Sequence, residues 1–276
     1  MASVSKLLKS AFTTGGYYQA MNTALKRLEG KYQMLHYPFQ HNENESFEQA
    51  QENLINYCVN FFPGLKDKSV LDLGCGNGTV SFYLAENFDA GRIVGVDINS
   101  NNVEIARAEK IKNGMSKVEF FEDDAQNLSQ ITDNSFDYIL NIESAFHYPD
   151  KYKFLNELHR VLKPGGHFII ADIVHTRKNA SWFNSWKKKM NFNHWSLDDY
   201  VEAVDQKSLH LITKNDVSPE VINGFKKYRS YLNDSRLKEN PKDWVLKFFF
   251  MVNVKLNIYL LKNKRRYYVF YGRKAE

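Results

Sequence analysis

The sequence predicts an α/β protein in which a mostly parallel sheet is covered by helices on both faces. Three observations carry that prediction. Short apolar runs alternate with helical patterns between residues 69 and 171. The runs are apolar at consecutive positions, as strands buried on both faces must be. A glycine-rich turn follows the first of them, where a parallel sheet needs a tight strand-to-helix connection.

Taken in order, residues 4–30 place Leu7, Leu8 and Ala11, then Met21, Leu25 and Leu28, at helical spacing, and Gly15-Gly16 is expected to break this stretch in two. Glu48–Phe61 reads as a helix ending before Pro63-Gly64. The regular part then runs as strand 69–73, helix 80–87, strand 92–96, helix 101–112 and strand 117–121. It continues with strand 138–141, helix 153–162 and strand 167–171. After Asp172 the rhythm changes. Residues 176–206 are polar, Lys-rich and Trp-containing, and Ser196 and Asp199 are spaced as a capping box. Ser208–Thr213 reads as a strand, and Val221–Leu232 and Trp244–Leu261 as helices, although Val252–Ile258 also alternates like a strand. Tyr267–Tyr271 closes the chain as a strand. With no repeat or low-complexity tract, the organisation expected is an N-terminal helical lid (1–62), a core (63–175), and a helical cap carrying the final strands (176–276).

The bulk numbers exclude several classes. At 276 residues, 43% hydrophobic and 25% charged, the chain suits one large α/β domain with additions. Its 20 Phe, 16 Tyr and 4 Trp suit a core, or a pocket for a bulky apolar ligand. Cys58 and Cys75 are too few for a disulfide framework and lack zinc spacing; a reducing cytoplasmic setting is the simple reading. The carboxylates show no ligand spacing either, so no metal is expected. The N-terminus lacks the apolar run of a signal peptide. Lys247, Asn253, Lys255 and Asn257 interrupt the apolar 244–261 stretch, which therefore reads as a buried or interfacial helix rather than a membrane span. The net charge of +5 gathers near the end, at Lys262, Lys264, Arg265, Arg266, Arg273 and Lys274. Such a cluster could meet phosphates or a membrane surface peripherally, or be a solvated turn and tail.

The informative segment is Val70-Leu71-Asp72-Leu73-Gly74-Cys75-Gly76-Asn77-Gly78-Thr79. Glycines at alternate positions after a strand allow a tight turn and a ligand's close approach to the backbone. Asp97 ends the next strand, where a carboxylate can accept two hydrogen bonds from the vicinal hydroxyls of a ribose. A dehydrogenase fingerprint would space its glycines G-x-G-x-x-G, and this loop does not. Asp72 to Gly78 resembles motif I of the class I S-adenosylmethionine-dependent methyltransferases. Asp97, Asp124-Ala125, Phe136-Asp137 and Arg160-Val161-Leu162-Lys163-Pro164-Gly165-Gly166 follow in the family's order.

That resemblance spans residues 65–175 and implies a Rossmann-like, seven-stranded, mostly parallel sheet whose last strand is reversed. It implies S-adenosylmethionine as methyl donor, leaving S-adenosylhomocysteine. Gly74, Cys75, Gly76 and Gly78 would cradle the methionine part, and Asp72 would help hold its amino group. Asp97 would bind the ribose, Ile98 would pack on the adenine, and Asp124 and Ala125 would meet the adenine edge. The backbone near Asn141 would close the site. Arg160 to Gly166 reads instead as a structural helix end and turn.

Methyl transfer from a sulfonium is an in-line displacement, so alignment and exclusion of water dominate. A hydroxyl acceptor also profits from a base. After the fourth strand comes Asn141-Ile142-Glu143-Ser144-Ala145-Phe146-His147-Tyr148-Pro149, at the strand end where such sheets bind ligands. Histidine suits proton uptake at neutral pH, which makes His147 the candidate base. Asp172, ending the fifth strand, is expected at the same rim, where it could orient His147. His36 and Tyr37 are further candidates for the pocket wall. Residues 141–166 resemble the phthiotriol-type lipid O-methyltransferases and the sugar O-methyltransferases of natural-product pathways. The lipid group has its His one place earlier, where this chain has Phe146.

The expected reaction is O-methylation of a small, apolar acceptor in secondary or lipid metabolism, by a monomer or homodimer. The alternative is C-methylation of a prenyl, sterol-like or aromatic carbon. Glu143, with Phe248-Phe249-Phe250 and Trp182, Trp186 and Trp195, would then steady cationic character. A third reading is a donor-binding protein without catalysis. Nucleic acid is not expected as substrate: no Asn/Asp-Pro-Pro-aromatic motif follows the fourth strand, and neither cysteine sits in a Pro-Cys pair.

Overall fold

The computed structural model describes residues 14–176, 192–234 and 241–276. Five parallel strands form its centre: β1 (Ser69–Leu73), β2 (Arg92–Asp97), β3 (Val118–Glu122), β4 (Phe136–Ile142) and β5 (Leu162–His175). β6 (Leu209–Asp216) and β7 (Arg265–Lys274) complete a sheet of order β3-β2-β1-β4-β5-β7-β6. β7 runs antiparallel to both β5 and β6, so the seven-stranded sheet with a reversed last strand is as expected. Chain order reverses between β1 and β4. The crevice above their C-terminal ends is the switch point where such sheets bind ligands.

Each strand feeds two cores at once. Val70, Ile93, Tyr138, Leu140, Ile169 and Ala171 pack on one face, with Leu54, Ile55 and Cys58 of α2 (Phe47–Val59). Leu71, Leu73, Val94, Val96, Ile139 and Ile170 pack on the other, with Phe154, Leu155 and Leu158 of α5 (Lys151–Val161). The period of two, buried on both sides, is why these strands read as unbroken apolar runs. Each such side chain contributes roughly 1.5–3 kcal/mol on leaving water.

The remaining helices are α1 (Thr14–Glu29), α3 (Thr79–Asn87), α4 (Ser100–Asn113), α6 (Leu197–Asp205), α7 (Ser218–Asp234) and α8 (Pro241–Asn263). The expected capping box forms at α6: the Ser196 hydroxyl takes the Asp199 N–H, and Asp199 takes the Ser196 N–H. A buried amide chain ties α1 to the core. Asn77 Nδ2 donates to Asn22 Oδ1 (2.8 Å), and Asn22 Nδ2 donates to Asn102 Oδ1 (2.9 Å).

Several expectations change. Gly15 and Gly16 lie in the first turn of α1, and the stretch before Thr14, where a second helix was expected, lies outside the described residues. Val252–Ile258 belongs to α8, not to a strand. β5 begins at Leu162, which pairs with Phe136. The register then shifts before Tyr138 meets His167, and Gly165 absorbs the irregularity at φ 69°. Arg160 is structural as expected, binding Glu157, Asp133 and the carbonyls of Leu128 and Ile131. Parts of the basic C-terminal cluster are internal ties. Arg266 donates to Leu261 O (2.6 Å) at the end of α8, and Lys274 to His159 O and Leu162 O. Among the described residues no helix is long and apolar enough to cross a membrane. Leu7, Leu8, Ala11, Trp182 and Trp186 lie outside the described residues.

Candidate active site

The β1–α3 turn is built by strain that glycine tolerates. Gly74, Gly76 and Gly78 have φ of 80°, 55° and 82°. A Cβ at Gly74 would stand 2.3 Å from Ser144 Oγ, so the loop can lie this close to the β4 end only without a side chain. Its N–H groups are used internally. Gly74 and Cys75 donate to Val96 O (2.7 and 2.9 Å), and Gly76 donates to Asp97 Oδ2 (2.9 Å). The turn therefore offers a ligand space and shape rather than free donors.

Above it lies a cavity of about 630 Å³, lined by Gly74, Cys75, Gly76, Asp97, Ile98, Asp124 and Ala125 among others. Asp97 accepts from the backbone of Gly76 and Asn99, which fixes its carboxylate, while burial raises its pKa. Ile98 is 67% exposed at the rim, available for a flat ring. Asp124 is held by the Gln126 N–H (2.9 Å).

Three residues expected near the donor do not themselves line this cavity, although Ile142, Glu143 and Ser144, next to Asn141, do. Asp72 is 2% exposed beneath the loop and accepts from Ser81 Oγ (2.6 Å); burial lifts its pKa to about 7. Gly78 backs onto Ala106 and Phe120, which a Cβ would meet at 2.8 Å. The Asn141 side chain turns to Leu73 O, Ser144 Oγ and Tyr148 Oη, bracing β4 against the turn.

A second cavity, about 160 Å³, adjoins the first. Tyr18, Leu35, His36, Glu143 and His147 line both and form the junction. Tyr17, Met34, Phe225, Phe250, Val254 and Leu260 give the second cavity an apolar wall, interrupted by polar residues that include Gln51, His194, Asn253, Asn257 and Arg265. Tyr37 Oη donates to Asn257 Oδ1 (2.8 Å).

Glu143 leaves β4 at φ 51°, a left-handed value that costs a non-glycine residue on the order of 1 kcal/mol. Its N–H bond to Ala171 O (2.8 Å) holds the turn, and its Oε1 accepts the Tyr37 N–H at 2.5 Å. Burial pushes its pKa up to about 8, so the carboxyl is largely protonated at neutral pH. His147 ends a 3-10 turn (Ala145–His147), and its Nε2 lies 2.9 Å from Tyr18 Oη. Burial raises the Tyr18 phenol well above its ordinary range, so that hydroxyl keeps its proton.

His36 is 7% exposed. Its Nδ1 lies 3.0 Å from Tyr37 O, and its buried Nε2 has no hydrogen-bond partner. A carbonyl only accepts, so Nδ1 carries the proton and Nε2 presents a bare lone pair. Burial lowers the pKa of this ring to about 4.

Asp172 is not at the rim. Along β5 it points opposite to Ala171 and Ile173, away from the cavities, and accepts from Tyr200 Oη. It is fully buried with Lys151, whose charge partly offsets the burial that lifts Asp172 to about 6. The alternation of strand side chains puts it there, out of position to orient His147. Conversely, the sequence reading passed over Tyr18, Leu35 and Ser144. An amphipathic helix offers no mark that separates a cavity tyrosine from a core one.

The methyltransferase domain family matches residues 65–232 of this chain. The chain is 29% identical over 187 residues to the fatty-acid O-methyltransferase of Mycolicibacterium smegmatis, covering 67% of this chain and 60% of that one. It is 35% identical over 118 residues to the phthiotriol/phenolphthiotriol dimycocerosates methyltransferase of Mycobacterium tuberculosis, 43% of this chain and 42% of that one. These matches thus span well under two thirds of the relatives' own lengths. The fold resembles that of a Haemonchus contortus phosphoethanolamine N-methyltransferase (TM-score 0.80, 17% identity, 98% of this chain and 60% of that one). It also resembles the [4+2]-cyclase SpnF (TM-score 0.74, 20% identity, 95% and 97%). With the family matching more than half of its length and the glycine turn, Asp97 and the junction in place, this chain belongs to the methyltransferase domain family.

Proposed function

We propose that the chain transfers a methyl group from S-adenosylmethionine to a hydroxyl of a small, apolar acceptor, with residues 1–62 as lid and 176–276 as acceptor cap. The observation that carries this reading is the junction, where Tyr18, His36, Glu143 and His147 stand between a nucleoside-shaped cavity and an apolar one. The donor fits the larger cavity. Its size is in the range of small-molecule sites, Asp97 offers a fixed carboxylate to a ribose, and Gly74, Cys75 and Gly76 form its wall.

Bound donor supplies an electrophilic methyl group whose bonding pair stays with sulfur when the acceptor oxygen takes it. The chain's residues align the oxygen and dispose of its proton. The low pKa of His36 makes it a poor base; its Nε2 accepts the hydroxyl's hydrogen bond on binding, and that O–H swings to Tyr18 Oη as transfer begins. The Tyr18–His147 pair is placed to take the proton. As Tyr18 Oη accepts it, Tyr18 passes its own proton 2.9 Å to Nε2. His147 therefore acts through Tyr18, whereas the sequence pointed to direct contact. Glu143 and Tyr37 fix the wall opposite.

Carbon methylation is the less favoured reading. A carboxyl held at about 8 is largely uncharged at neutral pH and stabilises a cationic carbon poorly. The experiment is incubation of the protein and a cell extract with heavy-methyl donor. Label in a methyl ether of an organic-soluble compound supports the proposal; label on carbon, or no transfer while the donor binds, overturns it.

A further inference from the structure

The acceptor cavity holds two groups of opposite chemistry, an inference that rests on the transfer just proposed. At the junction, the buried Nε2 of His36 is an acceptor with no donor. A buried polar atom of this kind is ordinarily matched by a ligand group when the protein supplies none. Among the described residues, the five that line both cavities include no lysine or arginine, so none of them holds an anion in place.

A second group asks for the reverse. Arg265 opens β7 and lines only the second cavity. Among the described residues its guanidinium has neither a hydrogen-bond nor an ion-pair partner, in contrast to Arg266, which faces Asp216 at 3.6 Å. Its surroundings are neutral. Tyr37 is a phenol committed to Asn257. His194 binds Ile173 O through Nδ1 (2.9 Å) and is kept uncharged by burial and by Arg265 itself. Glu143, the cavity's acid, is taken by the Tyr37 N–H. A guanidinium largely withdrawn from water and without a counter-ion is a site for one.

We propose that the acceptor is an apolar hydroxy acid. Its hydroxyl sits at the junction against His36 Nε2, its carboxylate pairs with Arg265, and its hydrocarbon body lies along Met34, Phe225, Val254 and Leu260. Such an acceptor is methylated on its hydroxyl, to an ether, because its carboxylate is held by Arg265, which does not line the donor cavity.

The test uses 3-hydroxydecanoate, 2-decanol and decanoate as probes, titrated calorimetrically into the full chain saturated with S-adenosylhomocysteine. Expected is binding of 3-hydroxydecanoate at least tenfold tighter than either single-function probe. Arg265→Gln brings its affinity down to that of 2-decanol and leaves 2-decanol unchanged, while Arg265→Lys keeps most of the gain. His36→Ala weakens 3-hydroxydecanoate and 2-decanol but not decanoate. Equal affinity for 3-hydroxydecanoate and 2-decanol in the unaltered protein would overturn the proposal. So would an Arg265→Gln variant that still binds S-adenosylhomocysteine and has lost nothing for the acid, or, with S-adenosylmethionine supplied in its place, methyl ester as the product of decanoate. Should S-adenosylhomocysteine itself fail to bind, the donor assignment falls, and the same probes in its absence still decide the anion site.

Discussion

The hydroxyl of Tyr18 and Nε2 of His147 lie 2.9 Å apart, with their rings edge to face at 5.6 Å. Tyr18 comes from α1 and His147 from the turn after β4, so the pair exists only when the N-terminal helix is docked on the sheet.

If the pair removes the acceptor's proton, Tyr18→Phe loses the relay and keeps the packing. The expected result is a fall in kcat of about a hundredfold or more with donor affinity unchanged. His147→Ala should lower kcat similarly, and the double variant should lose little beyond either single one. Full additivity in the double variant would show that the two residues do not act as a unit.

Asp97 is fixed by two backbone N–H groups and ends the strand beside the glycine turn. Asp97→Asn removes its charge while keeping its size. Donor affinity should drop roughly tenfold to hundredfold, the worth of hydrogen bonds to a charged group. Calorimetry with S-adenosylhomocysteine measures it, and an unchanged affinity would remove Asp97 from the ribose site.

Glu143 gives a pH test. Its folded pKa of about 8 lies above the ordinary 4.5, so the folded state holds a proton that the unfolded state releases between those values. Its contribution is fully present below about 4.5 and is lost as pH rises through 8, at up to about 1.4 kcal/mol per pH unit. Glu143→Gln should therefore give a Tm that declines less between pH 5 and 8 than that of the unaltered chain. Asp172 and Asp72, also raised, leave a residual slope of the same sign. Parallel curves for the two proteins would show that Glu143 is ionised at neutral pH.

Asp172→Ala separates a structural role from a catalytic one. It leaves Lys151 buried without its acidic neighbour, which should cost about 3–5 kcal/mol in a denaturant titration. Donor binding and the pH dependence of kcat should survive at temperatures where the variant stays folded. A changed pH profile would return Asp172 to the reaction.

The glycine turn and the place of Asp97 were legible in the sequence because their signals are local. The turn needs glycine at positive φ, and Asp97 must end the adjacent strand, so spacing alone places both. The acceptor side was not. Tyr18 reaches His147 across 129 residues, and Glu143 meets the Tyr37 N–H across 106. No periodicity encodes such meetings. Asp172 shows the same limit at short range: the end of β5 could be located, but not which of its two faces bears the carboxylate. His36 and Tyr37 were placed on the wall, yet the bare Nε2 follows only from where Tyr37 O lies.

The strand ends contribute Glu143, Phe146, His147 and Ile173 to the acceptor cavity, and most of the remaining wall belongs to segments before residue 62 or after residue 191. The donor cradle and the acceptor wall are thus written in different stretches of the chain. Substitutions can redraw what is methylated while the glycine turn and Asp97 stay untouched, so acceptor preference is free to diverge among relatives that share one donor.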